Sequence, residues 1–328
     1  MGKSKRGKQK KFDIVVFPRS VLPKEKPVSL KERQWSELPS DILLKIFEKV
    51  GQINVLTKAI RVCRDWLEVA RNDPILWRKV DMTYHGDQFG PNDLEDIACV
   101  AVNWSAGQLE EFSAEKFGSG ALLQYIASRS SNLKCIRLIK SPVSRKTLKK
   151  VIKRWPLIEE IELTGYLCTP ALCQAIGLLC PRLKCFRLNE LYYPGYSHER
   201  NLIANCIGNT MPNLHSLQLI RSSMTEKDLY AILEGCPQLE SLDVRNCWNI
   251  TIDERIYSEL ERIKTLRLPH DSIDDYKFAH HFIPYTSSEF FSYYCGCWCW
   301  CCTKPDSDSY SETYFDIEYG HIMFRHWD

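Results

Sequence analysis

Five cysteines crowd one short stretch, Cys295, Cys297, Cys299, Cys301 and Cys302, interleaved with Trp298 and Trp300. In an extended strand the first four share one face and the tryptophans take the other, because side chains alternate with a period of two. Thiolates gathered on one face are suited to zinc or soft-metal ligation, and clustered cysteines beside aromatics also suit S-acylation and a membrane tether. The spacing fits metal poorly, since Cys299 and Cys302 make the one C-x-x-C and no second pair or histidine set accompanies it. An apolar cap is the plainer reading. His280-His281 is the other concentration of ligand types, and with no carboxylate or cysteine placed beside it in sequence it reads as a solvated loop. Neither feature yields a metal ligand, and no cofactor is expected. The chain carries no Gly-rich phosphate loop, nucleophile elbow or H-E-x-x-H. It is expected to have no catalytic residues of its own.

Bulk properties narrow the class. A net charge of +3 over 328 residues gives no basis for a nucleic-acid partner. No apolar run approaches the 18 residues of a membrane span, and no apolar core of a secretory signal is seen. The other ten cysteines are scattered through amphipathic segments and read as reduced, buried, small apolar residues. These features point to the nucleus, the cytoplasm or both. Residues 1–34 open on a Lys/Arg-rich run that is expected to be disordered, either a nuclear import signal or a solvated tail. The apolar run Phe12 to Pro18 has no assigned role.

Residues 35–80 read as a helical module. Leu38-Pro39 precedes Ser40, an expected N-cap, with Asp41 in the first turn and Ile42, Leu43, Ile46 and Phe47 at helical spacing. Gly51 is expected to close that helix in an αL conformation. A second apolar set runs from Val55 through Ala59, Cys63, Trp66 and Leu67 to Ala70, and Pro74 ends it before Leu76 and Trp77. Three short helices of this total length cannot bury so many large apolar groups by themselves, so a partner must cover some of them.

From 81 to 270 the chain is periodic. The pattern apolar-x-x-apolar-x-apolar recurs at Leu109, Leu133, Ile158, Leu183, Leu214, Leu239 and Ile263, in steps of 24, 25, 25, 31, 25 and 24. Helical patterns lie between, and Pro156, Pro181, Pro212 and Pro237 stop four of them ahead of the next strand. A strand and a helix per turn at this period make an α/β solenoid: an open leucine-rich-repeat arc of about six to seven repeats. Lys79 to Met82 could supply a first strand. The long step is best explained by an insertion at Leu191–Arg200, whose Tyr192, Tyr193 and Tyr196 are either candidate substrate-binding contacts, as loops on a rigid solenoid commonly are, or tyrosines packed locally in a tolerated insertion.

Two columns of side chains can be read up the concave face. One is Arg137, Glu162, Arg187, Gln218, Asp243 and Arg267; the other, at the head of each strand, is Glu110, Lys134, Glu159, Lys184, His215, Glu240 and Lys264. Both largely alternate in sign, so neighbours about 4.8 Å apart can pair along the ladder. The mosaic lacks the continuous positive stripe of a nucleic-acid reader and suits a protein of mixed charge. The first column is the candidate substrate surface. From 271 to 328 the periodicity is lost, and a Cys/aromatic-rich, acidic tail follows.

The Leu-Pro start, Ile-Leu-x-x-Ile-Phe, Val-Cys-Arg-x-Trp and Pro-x-Leu-Trp occur in order and resemble an F-box. Followed by cysteine-type repeats such as QLESLDVRNC, the whole is similar to a plant-type F-box/leucine-rich-repeat protein. Only Cys247 holds the position that names that repeat type; Ser141, Tyr166, Leu191 and Ser222 stand there elsewhere. The resemblance implies an F-box that binds a Skp-family adaptor and through it a cullin, with Leu38, Pro39, Ile42, Leu43, Ile46 and Phe47 facing the adaptor and Trp66 packing the module's own core. It implies a substrate-recognition subunit of an SCF-type ubiquitin ligase, its substrate a protein. A leucine-rich-repeat scaffold, or a metal-responsive or membrane-tethered sensor working through the cysteine tail, are the competing readings.

Overall fold

A computed structural model describes residues 35, 38–86, 88–191 and 201–282. Tyr192, Tyr193 and Tyr196, the run Phe12 to Pro18, the Lys/Arg-rich N-terminus and the five tail cysteines lie outside the described residues.

The module consists of α1 (Ser40–Val50), α2 (Gln52–Thr57) and α3 (Arg64–Asn72), with 3-10 turns at Ala59–Arg61 and Pro74–Trp77. Pro39, not Ser40, flanks the first helix: its carbonyl accepts from Ile42 and Leu43, and no side chain caps the end. Gly51 has the positive φ the sequence asked for, +83°, but its ψ of 149° is extended, so it turns the chain straight into α2 rather than closing an αL cap. A β-carbon would be strained there.

Eight strands follow in strictly sequential order in one parallel sheet: β1 (Lys79–Met82), β2 (Glu111–Glu115), β3 (Cys135–Ile139), β4 (Glu160–Thr164), β5 (Cys185–Asn189), β6 (Ser216–Gln218), β7 (Ser241–Asp243) and β8 (Thr265–Arg267). Seven are the strands read from the apolar pattern, and β1 is the added first one. The register is that of the repeat, with Phe112, Ile136, Ile161, Phe186, Leu217, Leu242 and Leu266 side by side in successive strands. Helices α4 (Pro91–Trp104), α5 (Gly120–Arg129), α6 (Arg145–Ile152), α7 (Pro170–Leu179), α8 (Asn201–Thr210), α9 (Glu226–Gly235) and α10 (Glu254–Leu260) return each turn. Polar caps start most of them: Ser119, Ser144, Thr169 and Asp253 accept backbone N–H groups, and Thr225 with Asp228 forms a capping box. Gly208 and Gly235 let α8 and α9 meet backbone to backbone, since a β-carbon on either would strike the other helix.

The module and the repeats share one core. Leu43, Phe47, Ile53, Val55, Ala70, Leu76 and Trp77 are continuous with the repeat interior as far as Ile263. Trp77 is fully buried, stacks edge-on to Trp104 and donates its indole N–H to Ala70 O at 2.7 Å. The division expected at residue 80 therefore falls inside β1, and much of the apolar surface that the sequence assigned to a partner is covered by the chain's own repeats. The ten described cysteines are all free, and most are buried, as their spacing within amphipathic segments implied. Cys247 is wholly buried and donates its S–H to Leu219 O at 2.9 Å.

Candidate functional site

Two surfaces could carry function. The first is α1. Leu43 (1 % exposed) and Phe47 (0 %) point inward, so the expectation that they face an adaptor is corrected. They sit on the helix face that closes the shared core, where Phe47 meets Trp66 edge-to-face at 5.6 Å. Trp66 is half-buried as the resemblance implied, and it ties its indole N–H to Trp35 O at 3.0 Å. The other candidates lie outward: Pro39 and Ile42 are exposed, and Leu38 and Ile46 are half-buried. Val50 completes the stripe, so Ile42, Ile46 and Val50 follow one another at i, i+4 and i+8 on one side of the helix. Val62 (54 % exposed) and Ile75 (63 %), in the turns flanking α3, add exposed apolar groups outside the expected adaptor-facing set.

The second surface is the concave side of the sheet. The register puts Arg137, Glu162, Arg187, Gln218, Asp243 and Arg267 in one row as expected. Their partners differ from the expectation. Glu160, two residues before Glu162 and on the same face, is the hub: it accepts from Arg137 at 2.9 Å and from Arg187. The same arginines stand 4.0 and 3.9 Å from Glu162. Gln218 donates to Asp243 at 2.7 Å, and Arg245 pairs with Asp243. At the strand heads the alternation does pair: Lys134 with Glu110 at 3.0 Å, Lys184 with Glu159 at 3.0 Å and Lys264 with Glu240 at 2.9 Å.

What fills the concavity is the segment after β8. Asp275 bonds Arg245 and Arg267 at the far end of the sheet, and two residues later Lys277 reaches Asp81 of β1 at 3.0 Å. Seven strand-to-strand steps of about 4.8 Å make a ladder of roughly 34 Å, whereas two residues advance the backbone only about 7 Å. The arc must curve tightly for both contacts to hold, with the segment inside it. Between them, Tyr276 donates to Glu162 at 2.7 Å, accepts from Asn189 at 2.9 Å and bonds Thr164 at 2.9 Å. Burial beside that carboxylate pushes the Tyr276 phenol well above its ordinary range, so it stays a donor. Phe282 then packs with Leu191 and Ile220.

Two expectations are overturned here. Glu162 and Asp243 are buried, the first under Tyr276 and the second against Arg245, so neither is presented to a substrate. Arg137, Arg187 and Gln218 are half-buried and engaged within the chain, and Arg267 is exposed but held by Asp275. His280-His281 is not a solvated loop: it forms a 3-10 turn with Ala279, and His281, buried, bonds Glu115 at 2.7 Å. No periodicity signals such contacts, because each joins residues far apart in sequence.

Comparison with known sequences agrees with this geometry. A profile described as F-box-like matches residues 35–83, and one described as the LRR repeats of an FBD-associated F-box protein matches residues 178–268. F-box/LRR-repeat protein 23 of Arabidopsis thaliana is 38% identical over 74% of this chain, which spans 55% of that protein's length. F-box/LRR-repeat protein 22 of the same plant is 36% identical over 76% of the chain and 81% of its own length, and F-box protein SKIP19 is 36% identical over 74% and 79%.

Proposed function

The chain belongs to the F-box/leucine-rich-repeat family, and from that premise we propose that it is the substrate-recognition subunit of an SCF-type ubiquitin ligase. The outward stripe of α1 docks a Skp-family adaptor and through it a cullin, while the repeat arc holds a protein substrate. The subunit then accelerates ubiquitin transfer by proximity alone, the reacting groups being supplied by other subunits. Its setting is the nucleus or the cytoplasm.

The observation that supports this reading is the stripe itself. The core takes in every inward apolar residue of the module, yet Ile42, Val50, Val62 and Ile75 stay 40–63% exposed. An apolar surface left open on a rigid helical module is what a constant protein partner covers. With the concave centre occupied by Asp275 to Phe282, the substrate docks on an edge of the arc, either along the strand-head charges or at the opposite strand ends, where Leu167 and Trp248 are exposed.

Binding of a purified Skp-family adaptor to the full chain, beside a double variant Ile42→Ala, Ile46→Ala, tests it. Loss of at least about 2 kcal/mol, roughly 30-fold in Kd, is expected of anchors in such a patch. An intact chain that fails to bind the adaptor overturns the reading.

A further inference from the structure

Glu115 ends β2 on the concave side, and the returning segment brings two imidazoles to it. Its Oε2 accepts the backbone N–H of Tyr84 at 2.6 Å, which fixes the carboxylate's orientation. Its Oε1 faces His281 Nε2 at 2.7 Å and His280 Nε2 at 3.5 Å. The three donor atoms all lie within 4.8 Å of one another. A hydrogen bond to Glu115 accounts for His281 alone. His280 aims its Nε2 at the same oxygen from beyond good hydrogen-bonding range, its ring centroid 4.1 Å from that of His281.

Tetrahedral ligation with bonds of 2.0–2.1 Å separates donor atoms by about 3.3 Å. The two carboxylate–imidazole distances bracket that value, and the His280 side chain is half-exposed. Two imidazole nitrogens with one carboxylate oxygen suit a divalent ion of the later first-row metals better than calcium or magnesium, which favour all-oxygen sites. Glu115 and His281 are sheltered, while His280 lies at the solvent edge, so a fourth position opens to water.

We propose that Glu115, His280 and His281 form a three-ligand site for a divalent transition-metal ion of the zinc class, which clasps the segment after β8 to β2. The ligands come from positions more than 160 residues apart. Binding therefore cross-links the two ends of the described repeat region and is coupled to closure of the segment over the concave face.

The test uses the full chain with Cys295, Cys297, Cys299, Cys301 and Cys302 changed to Ser, so that tail thiolates cannot take the ion, and Co²⁺ as the probe. One equivalent should bind with a visible d–d band and no thiolate charge-transfer band, and Zn²⁺ should displace it. His280→Ala, at an exposed position that leaves the fold intact, should weaken binding beyond the roughly 10–100-fold that loss of a ligand's outer partner costs. Metal should also slow amide exchange across 271–282 in the parent and not in that variant. Absence of stoichiometric binding, or equal binding by His280→Ala, overturns the proposal. So does binding that requires the cysteines, because the tail is then the site.

Discussion

The outer stripe of α1 and the concave face of the sheet are both surfaces that sequence reasoning marked as binding sites, and they differ in how complete they are. The stripe is apolar, and among the described residues Ile42 and Val50 stay exposed on it. The concave face is charged, and the chain satisfies those charges itself: Glu160 holds Arg137 and Arg187, Gln218 and Arg245 hold Asp243, and Tyr276 covers Glu162. A contiguous exposed apolar stripe cannot be satisfied by a neighbour's charge, so it is open to a partner. A row of alternating charges can close on itself, so it reports only register. Of the two surfaces, the apolar one is the better evidence of function.

The comparison can be broken at several points. The largest effect is expected within α1. Phe47→Ala should destabilise the whole chain by about 3–5 kcal/mol, as truncation of a buried aromatic does, measured by denaturant unfolding. Ile42→Ala with Ile46→Ala should instead leave unfolding nearly unchanged and lose at least about 2 kcal/mol of adaptor affinity. Equal effects of the two changes on stability would erase the distinction between inner and outer faces. Tyr276→Phe should cost about 1–3 kcal/mol, because it removes the donor to buried Glu162 and a partner of Asn189, read as faster amide exchange at 271–282. An unaltered exchange pattern would mean that the concave face does not depend on this segment. Lys184→Ala, in an exposed strand-head pair, should change stability by only about 0.2–1 kcal/mol, and less at high salt.

Acid should loosen the concave side while sparing the stripe. Burial pushes the Asp81 carboxyl up, but hydrogen bonds from Thr83 and Lys277 outweigh it and hold the group below its ordinary value. The hydrogen bond from Arg245 does the same for Asp275. A carboxyl lowered in the folded state contributes stability that is present above its unfolded value, near pH 4, and is lost as pH falls through the folded one. In the metal-free chain, protection of 271–282 should therefore hold from neutral pH to about pH 4 and decline only below it. Loss at pH 6 would contradict the ion pairs as anchors.

Much of the fold was legible because repetition writes it several times over. Each of these strands was marked by the same three apolar positions, and four of the helices between them by a proline that stops them, so β2 to β8 fell where the spacing put them. Glu160 escaped notice because the column chosen lay two residues away on the same face, although strand alternation could have revealed it. The inward turn of Leu43 and Phe47 was not legible. Both faces of α1 are apolar, and which one is buried depends on the repeats packed against the module.

The sequence by itself determined the repeat period, the strand register and the presence of a helical module at 35–80, because these rest on local spacing that any copy of the pattern reproduces. The tertiary structure decided which apolar residues stay outside and what occupies the concavity. Those outcomes depend on contacts such as Tyr276 with Glu162 and His281 with Glu115, separated by 114 and 166 residues. Only the curvature of the ladder brings such partners together, and curvature leaves no spacing in the chain to be read.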